Sequence, residues 1–341
     1  MGRDKNHLYR KSLHQQAHER LVGMQAFGDS KYHDKLTGAD RYKIYAFSTY
    51  NTYRRIVMQF IRYIETEHPE CTTLRQAKRF ANEWLQIRVD AGLSAWTIST
   101  DISALSKLYG ILPDDPNRFR APVRRRMDIK RSRVPVERDN HFSLTNNAEL
   151  IEFVCGTGAR RSALERLRGD DLWPRERMTK MKDILMERDV LTDKEAILLN
   201  TLREGLETFP DIQFFAHFRK DKGGRSRFAP ILPSHQELVV RRMREVATDA
   251  PVFMHVHRAA DIHSYRGRYA KSIYRRYCRP IEQIPYDRIR KGSNRPYQSD
   301  VYVCRGDERG RKLDRAALNK VSRSLGHTRT SVVASHYIYG L

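Results

Sequence analysis

The chain has 341 residues, and 64 Lys and Arg against 41 Asp and Glu give it a formal net charge of +23. This excess argues against an average metabolic enzyme and indicates a polyanionic partner, most often nucleic acid. With 40% hydrophobic residues the chain can bury cores, and its length favours two domains. The sequence has no bilayer-spanning apolar run and no secretory signal at its start. We therefore expect a cytoplasmic, nucleoid-associated protein with no membrane partner.

The cysteines and the known cofactor motifs give little support to a bound metal or nucleotide. Cys71, Cys155, Cys278 and Cys304 lie far apart and form no CxxC pair, which favours reduced thiols and argues against a zinc site. The sequence also lacks a P-loop, a metal-ligand cluster and a paired-carboxylate motif. No cofactor is expected.

Residues 1–43 are mixed polar and charged residues without a sustained hydrophobic period. We expect them to form a basic and polar N-terminal arm that is partly disordered or becomes ordered only on DNA.

Residues 44–112 show the spacing of amphipathic helices. From Tyr53 the apolar residues recur every three or four positions, and similar patterns begin near Thr73 and Ser94. Ser48 or Thr49 is the expected cap of the first of these helices. The pattern predicts a small all-α domain.

Residues 113–146 contain several prolines and a run of basic side chains, so they are expected to form a linker. Between 118 and 133 one acid, Asp128, stands against eight basic residues. Such a run is either a solvated segment or a contact with the phosphate backbone of DNA. The candidate DNA-binding residues are Arg118, Arg120, Arg124, Arg125, Arg126, Lys130, Arg131 and Arg133.

A larger domain is expected over residues 147–341. Its first segments predict an apolar helix around Leu150 and a second helix from Ser162 to Leu172. Residues 212–217 and 226–232 flank a Lys-Gly-Gly turn, which predicts a β-hairpin. Beyond Pro233 the chain is predicted to be mostly helical.

Five short segments of this domain contain polar side chains that could act on a phosphate group. Thr157 could cap a helix that begins at Arg160, and free N–H groups there would favour an anion. His263 and Arg266 are three residues apart, hence on one helical face, which suits two donors to one phosphate. Taken alone, each of these polar residues is more often a solvent-exposed or helix-capping residue than a catalytic one. The segments are Thr157–Arg160, Lys222–Arg227, His263–Arg266, Leu325–His327 and Tyr337.

Taken together in this order, the segments resemble the tyrosine recombinases, the phage-integrase family of site-specific DNA recombinases. Thr-Gly-Ala-Arg-Arg-Ser-Ala-Leu looks like the first-arginine box of that family, and residues 44–112 are similar to its core-binding domain. The remaining matches are Lys222 to the lysine of the β2–β3 hairpin, His263-x-x-Arg266 to the His-x-x-Arg box, Leu325-Gly326-His327 to the Leu-Gly-His box, and Tyr337 to the nucleophile.

The resemblance implies a mainly α fold: an all-α, SAM-like core-binding domain and a mostly helical α+β catalytic domain with a small sheet. It also implies that Tyr337 forms a bond to a DNA 3′-phosphate without a cofactor. Arg160, Arg266 and His327 would then stabilise charge on the phosphate. The remaining implied roles are general acid for Lys222 and assistance of proton transfer at the tyrosine for His263.

The sequence departs from the family pattern at several points. The family usually has an acidic residue three positions after the first arginine, where this chain has Ala163, with Glu165 nearby. The segment 279–312 is an insertion of unknown role. The interval from His327 to Tyr337 is one residue longer than usual, which makes Tyr339 a rival nucleophile.

Four residues follow Tyr337, whereas family members often pass a C-terminal segment to a neighbouring subunit. We therefore expect either that another surface, such as the insertion, makes the contacts between subunits or that the chain is shortened.

As implied by the resemblance, the expected partners are double-stranded DNA with specific recombination sites, a homotetramer on two such sites, and accessory DNA-bending or directionality proteins. The expected role is integration and excision of a prophage or mobile element. Three alternatives stay open: a topoisomerase IB-like nicking and closing enzyme, a non-catalytic DNA-binding protein of the same fold, and, on charge alone, an RNA-binding protein.

Overall fold

A computed structural model describes residues 11–125, 142–221, 224–284 and 300–341. The chain separates into two compact units, Met1–Asp128 and Ile129–Leu341. The predicted fold class is confirmed, since both units are mostly helical and the described strands form small antiparallel sheets. In the described part of the chain, no helix combines the length and apolar character needed to cross a membrane.

Apart from one isolated β-bridge between Gln25 and Ile44, the regular secondary structure in the described part of the first unit is helical, and its core lies along the apolar face of its longest helix. Phe60 on that helix packs edge-to-face against Trp84, with 5.5 Å between the ring centroids. The helices are α1 (Leu13–Val22), α2 (Lys31–Thr37), α3 (Phe47–Glu67), α4 (Leu74–Ala77), α5 (Ala81–Asp90) and α6 (Ala95–Tyr109).

The predicted helix starts in this unit are right at two of three places. Thr73 caps α4 through a capping box with Gln76, and Ser94 caps α6. The prediction of Ser48 or Thr49 as the cap of α3 is wrong. The amide of Tyr50 already donates to the carbonyl of Ala46 at 3.0 Å, so the helix closes upstream of both hydroxyl residues.

Residues 11–43 are folded and contain two α-helices. For this part of the chain, the expectation of a partly disordered arm is wrong. The Ser12 side chain caps α1, and Leu13, Ala17 and Leu21 of this helix are buried in the same core as Phe60. These three residues form a stripe only one side chain wide, with polar residues between them. This narrow stripe explains why the sequence pattern did not indicate a packed helix.

The second unit contains a three-stranded sheet, a separate two-stranded hairpin and eight α-helices in its described part. Its helices are α7 (Ala148–Thr157), α8 (Arg161–Leu164), α9 (Arg175–Met186), α10 (Asp193–Thr208), α11 (Gln236–Arg244), α12 (Ile262–Tyr277), α13 (Arg315–Ser324) and α14 (Thr330–His336). Its strands are β1 (Leu172–Pro174), β2 (Phe214–Phe218), β3 (Arg227–Pro230), β4 (Val301–Val303) and β5 (Lys312–Asp314).

The predicted hairpin is present as β2 and β3, which pair antiparallel with His217 opposite Phe228. The predicted helix from Ser162 to Leu172 is wrong beyond Leu164. There the chain turns, and Leu172 begins β1 opposite Ala216 of β2. Pairing of this short apolar segment with the sheet overrides its helical spacing.

The three-stranded sheet separates two cores, because alternate residues of each strand point to opposite faces. Phe215 and Phe228 belong to one core, whereas Ala216 and Ala229 belong to the other. Helix α12 contributes to both cores, with Tyr269 in the first and Tyr265 in the second. Burial of its side chains in both cores fixes the position of this helix within the unit.

We predict that α1 is an integral part of the first unit. Leu21→Ala removes a fully buried side chain and is expected to destabilise the unit by about 2–5 kcal/mol. Amide hydrogen exchange in α3 of the full chain should then accelerate by roughly 30-fold or more, since each 1.4 kcal/mol corresponds to about tenfold.

Leu36→Ala, at a side chain that is 74% exposed, is the matched control and should leave this exchange unchanged. Equal exchange in both variants would show that α1 does not support the core.

Candidate active site

The structure brings five of the six predicted catalytic side chains together in one cluster of the second unit, which we call the pocket. Arg160 immediately precedes α8, and His263 and Arg266 lie in the first half of α12. His327 lies in the turn after α13, and Tyr337 ends α14. The sixth, Lys222, lies outside the described residues, as does Gly223.

Arg160 is placed by a sharp turn at Gly158, which ends α7. Gly158 has a φ of +60°, and a Cβ atom at this position would lie 2.3 Å from the ring of Tyr269. Only glycine satisfies both the backbone conformation and the close approach. Thr157 does not cap α8 as expected, because its hydroxyl donates to the carbonyl of Phe153 at 2.8 Å within α7.

His327 is placed by a second turn of this kind at Gly326. This glycine has a φ of +67°, and a Cβ atom there would lie 2.9 Å from Cδ of Arg227. The amide of His327 donates to the carbonyl of Ser322 at 2.8 Å. In this position the Nε2 atom of His327 lies 3.3 Å from the Tyr337 hydroxyl and 3.5 Å from Nη2 of Arg160.

Arg266 is nearly fully buried, with 2% of its surface exposed. Its guanidinium donates to the carbonyls of Gly158 and Leu325 and, through Nε, to the Tyr337 hydroxyl at 3.4 Å. The two carbonyls lie at the C-terminal ends of α7 and α13, where the helix dipole is negative and favours a cation. Burial lowers the pKa of Arg266 to about 10, and the nearby Arg227 and Arg160 contribute in the same direction. The guanidinium therefore stays charged at neutral pH.

Tyr337 is the tyrosine whose hydroxyl meets these cationic and imidazole groups. It is 7% exposed, and its ring centroid lies 5.1 Å from that of His263 and 5.4 Å from that of His327. Tyr339 lies two residues further on and is half-buried. The geometry thus favours Tyr337 over Tyr339 as the candidate nucleophile.

Two further charged residues belong to the pocket: Asp221, which the sequence analysis did not name, and Arg227, which it named only as the end of the segment Lys222–Arg227 and without a role. Arg227 on β3 is 6% exposed and donates through Nε to Asp221 at 2.7 Å, and the same carboxylate pairs with Arg160. Burial alone would raise the pKa of Asp221, but the guanidiniums of Arg227 and Arg160 outweigh it and hold that pKa well below the usual range. The one available sequence signal was an arginine at the start of the apolar run 227–232.

The described part of segment 279–312, which the resemblance implies to be an insertion, contacts the residues that follow Tyr337. Its β4–β5 hairpin presents Glu308 and Arg311, which form an ion pair. Arg311 donates to the main-chain oxygen of Leu341 at 3.0 Å, and Glu308 accepts from the amide of Gly340 at 3.0 Å. Part of this segment therefore holds the residues that follow α14 within the same chain.

The candidate DNA-binding residues lie at the end of the first unit where they are described. Phe119 and Ala121 pack against its core, so the basic segment is attached to that unit at least to residue 121. Arg118 is half-buried, whereas Arg120, Arg124 and Arg125 are exposed. The remaining candidates lie outside the described residues: Arg126, Lys130, Arg131 and Arg133.

Comparison with known proteins supports the family resemblance. Residues 41–114 match the family model of the phage integrase N-terminal SAM-like domain. This match shows that residues 41–114 are similar to the N-terminal domain of phage integrases.

A search of the solved structures also returned a similar chain. It is a crystal structure of XerA recombinase, with 14% sequence identity, a TM-score of 0.24 and coverage of 94% of this chain and 93% of that chain. This TM-score is too low to support an inference. A search of curated proteins gave no significant match.

His217 lies at the base of the hairpin that leads to Asp221. Its ring stacks on Phe228 with 4.3 Å between centroids, and its Nε2 atom lies 2.8 Å from the Ser226 hydroxyl. Burial lowers the pKa of His217 to about 4, and Arg219 contributes in the same direction. The folded state therefore holds the neutral imidazole over most of the acidic range.

We predict that His217 makes the second unit less stable as the pH falls. In the unfolded chain His217 binds a proton below the ordinary histidine pKa of about 6.5, whereas in the folded chain it does so only below about pH 4. The unfolding free energy should thus fall by about 2 kcal/mol between pH 7.5 and pH 5 through this residue alone.

Urea unfolding of the full chain at both pH values checks this prediction. His217→Gln should lose that part of the pH dependence, whereas groups that titrate in both proteins cancel in the comparison. An identical pH dependence in the two proteins would contradict the assignment.

Proposed function

We propose that this protein is a site-specific DNA recombinase that cleaves and rejoins DNA strands through a 3′-phosphotyrosyl intermediate on Tyr337. The observation that carries the proposal is the position of the Tyr337 hydroxyl, 3.4 Å from Nε of Arg266 and 3.3 Å from Nε2 of His327. Arg160 lies in the same pocket, 3.5 Å from His327. A phosphodiester brought to this hydroxyl would meet several donors at once.

The first step would be attack of the Tyr337 oxygen on a phosphodiester phosphorus. Attack builds negative charge on the non-bridging oxygens, and guanidiniums fixed before the reaction stabilise that charge better than mobile water does. Arg160 and Arg266 would supply paired N–H donors, and His327 would supply a further one. Burial of Arg266 strengthens its interaction with a bound phosphate, because the local dielectric is low.

Two protons must move in this step. The phenolic proton leaves Tyr337 as the P–O bond forms, and His263, whose ring lies beside that of Tyr337, would assist its transfer. The bond from phosphorus to the 5′-oxygen breaks, and that oxygen takes a proton from Lys222 as general acid. Reversal with the 5′-hydroxyl of a partner strand rejoins the DNA. Because the phosphotyrosine bond conserves the energy of the phosphodiester, the cycle needs no nucleotide hydrolysis.

The first unit and the basic segment after it would bind the duplex that the second unit cuts. The match of residues 41–114 to an integrase domain supports this division of labour. We propose that four copies act on two recombination sites, with accessory DNA-bending or directionality proteins, to integrate and excise a prophage or mobile element. Cytoplasmic, nucleoid-associated localisation follows from that role.

Two alternatives make different predictions. A topoisomerase-like nicking and closing enzyme uses the same chemistry as a monomer, so tetramer formation on DNA and exchange between two sites would exclude it. A non-catalytic DNA-binding protein forms no covalent adduct. It would also not require a tyrosine hydroxyl placed against a buried guanidinium, which is the arrangement present here.

We predict that cleavage depends on Arg266 far more than DNA binding does. Arg266→Lys keeps the charge but loses the fork of donors, and it should slow covalent adduct formation on a nicked DNA substrate by roughly 100-fold or more. Binding of the same DNA, measured by fluorescence anisotropy, should change by less than about threefold, since most of the affinity comes from phosphate contacts elsewhere.

Arg268→Lys is the control, because Arg268 lies on the same helix and is exposed. It should leave cleavage unchanged. A proportional loss of binding and cleavage in Arg266→Lys would contradict a role at the reacting phosphate.

A further inference from the structure

Asp221 is a buried carboxylate between two arginines of the pocket. It is 8% exposed, and its Oδ2 atom lies 2.7 Å from Nε of Arg227 and also pairs with Nη1 of Arg160. The opposite side of the Arg160 guanidinium, at Nη2, donates to the Leu325 carbonyl at 3.1 Å and lies 3.5 Å from His327. The Arg160 guanidinium is thus held at its Nη1 edge by the Asp221 carboxylate and at its Nη2 edge by the Leu325 carbonyl.

The charge balance of the pocket depends on this carboxylate. The guanidiniums of Arg160, Arg227 and Arg266 converge there, and their other hydrogen-bond contacts are uncharged main-chain carbonyls, the Tyr337 hydroxyl and the His327 imidazole. Like charges in a low-dielectric site repel strongly unless an opposite charge lies between them. Asp221 lies between Arg160 and Arg227, where it offsets that repulsion.

The residues that follow Arg160, on α8 and just after it, do not supply this compensating negative charge. Ala163 on α8 is apolar and buried, and Glu165, which follows α8, is exposed. Asp221 instead comes from the end of the β2–β3 hairpin, where its amide donates to the carbonyl of Arg225 at 2.8 Å. The carboxylate that pairs with Arg160 is therefore supplied by a distant part of the chain.

We propose that Asp221 is a positioning residue that fixes the guanidinium of Arg160 for contact with the reacting phosphate. The inference rests on the proposed function and adds a residue to it. With Asp221 in place, the Nη2 edge of Arg160 is held beside His327 and available to a phosphate oxygen. Without it, Arg160 and Arg227 repel each other, and the Arg160 side chain loses the contact that holds its Nη1 edge.

The test compares Asp221→Asn with Asp171→Asn in the full-length protein. Asp171 is a matched control because it is also buried, at 2% exposure, and also pairs with an arginine, Arg219, in the same domain. We expect Asp221→Asn to slow adduct formation by roughly 10- to 100-fold, since small misplacements of catalytic groups have effects of this size. Asp171→Asn should change it by less than about threefold at a temperature where both variants are folded.

A second substrate separates positioning of Arg160 from general damage to the fold. A methylphosphonate at the cleavage position lacks one negatively charged oxygen, so its reaction depends less on a guanidinium. The ratio of wild-type to Asp221→Asn rates should fall from at least about tenfold on the phosphate to about threefold or less on the methylphosphonate. A 5′-thio leaving group, which needs no proton, should leave the ratio on the phosphate unchanged.

Three kinds of result would contradict the positioning role of Asp221. An equal loss on phosphate and methylphosphonate, or a full rescue by the 5′-thio group, would overturn the positioning of Arg160. A wild-type rate for Asp221→Asn would also overturn the inference, and the proposed function would stand. Absence of any adduct with the wild-type protein on its own DNA would remove both.

Discussion

The pocket depends on the burial of the Arg266 guanidinium against main-chain carbonyls at the ends of two helices. A buried, unpaired charge is destabilising by several kcal/mol, so the fold has to present acceptors to it. Gly158 and Leu325 do so because α7 and α13 both end beside this guanidinium. Left-handed turns at Gly158 and Gly326 lie beside these carbonyls, and each turn allows a close approach, of Tyr269 and of Arg227 respectively, that a Cβ atom would block. The Tyr337 hydroxyl is then placed against a cation whose position is already fixed.

The two cores of the second unit hold in place the helix that carries His263 and Arg266. Helix α12 contributes residues to both cores, and it carries Arg266 and His263 next to Tyr337. From the other direction, Glu308 and Arg311 hold the main chain after Tyr337. Tyr337 is thus supported on both sides along the chain, by α14 before it and by the contacts of the β4–β5 hairpin with the residues after it. This hairpin therefore forms part of the support of the candidate nucleophile.

Much of the local structure could be predicted from the sequence, because it depends on neighbours along the chain. The helix starts at Thr73 and Ser94 and the pairing of β2 with β3 follow from residue types at fixed spacing. The order of the polar segments likewise led to Arg160, His263, Arg266, His327 and Tyr337, which the structure brings together.

The remaining features depend on contacts between distant segments, and spacing cannot show these. Helix α1 is stabilised by packing against α3 and has only a narrow apolar stripe of its own. The segment before Leu172 has helical spacing, yet its end pairs with β2. Asp221 and Arg227 looked like ordinary charged residues of a hairpin, and only the approach of Arg160 gives them a place in the pocket.

The most direct test of the account is to identify the residue that becomes linked to DNA. A nicked duplex that carries the end of the element's own recombination site should trap a covalent complex, and protease digestion followed by mass spectrometry should locate the nucleotide adduct on Tyr337. Tyr337→Phe should abolish the complex, whereas Tyr339→Phe should retain it. An adduct on Tyr339, or no adduct on any DNA that the protein binds specifically, would contradict the central claim that Tyr337 is the nucleophile.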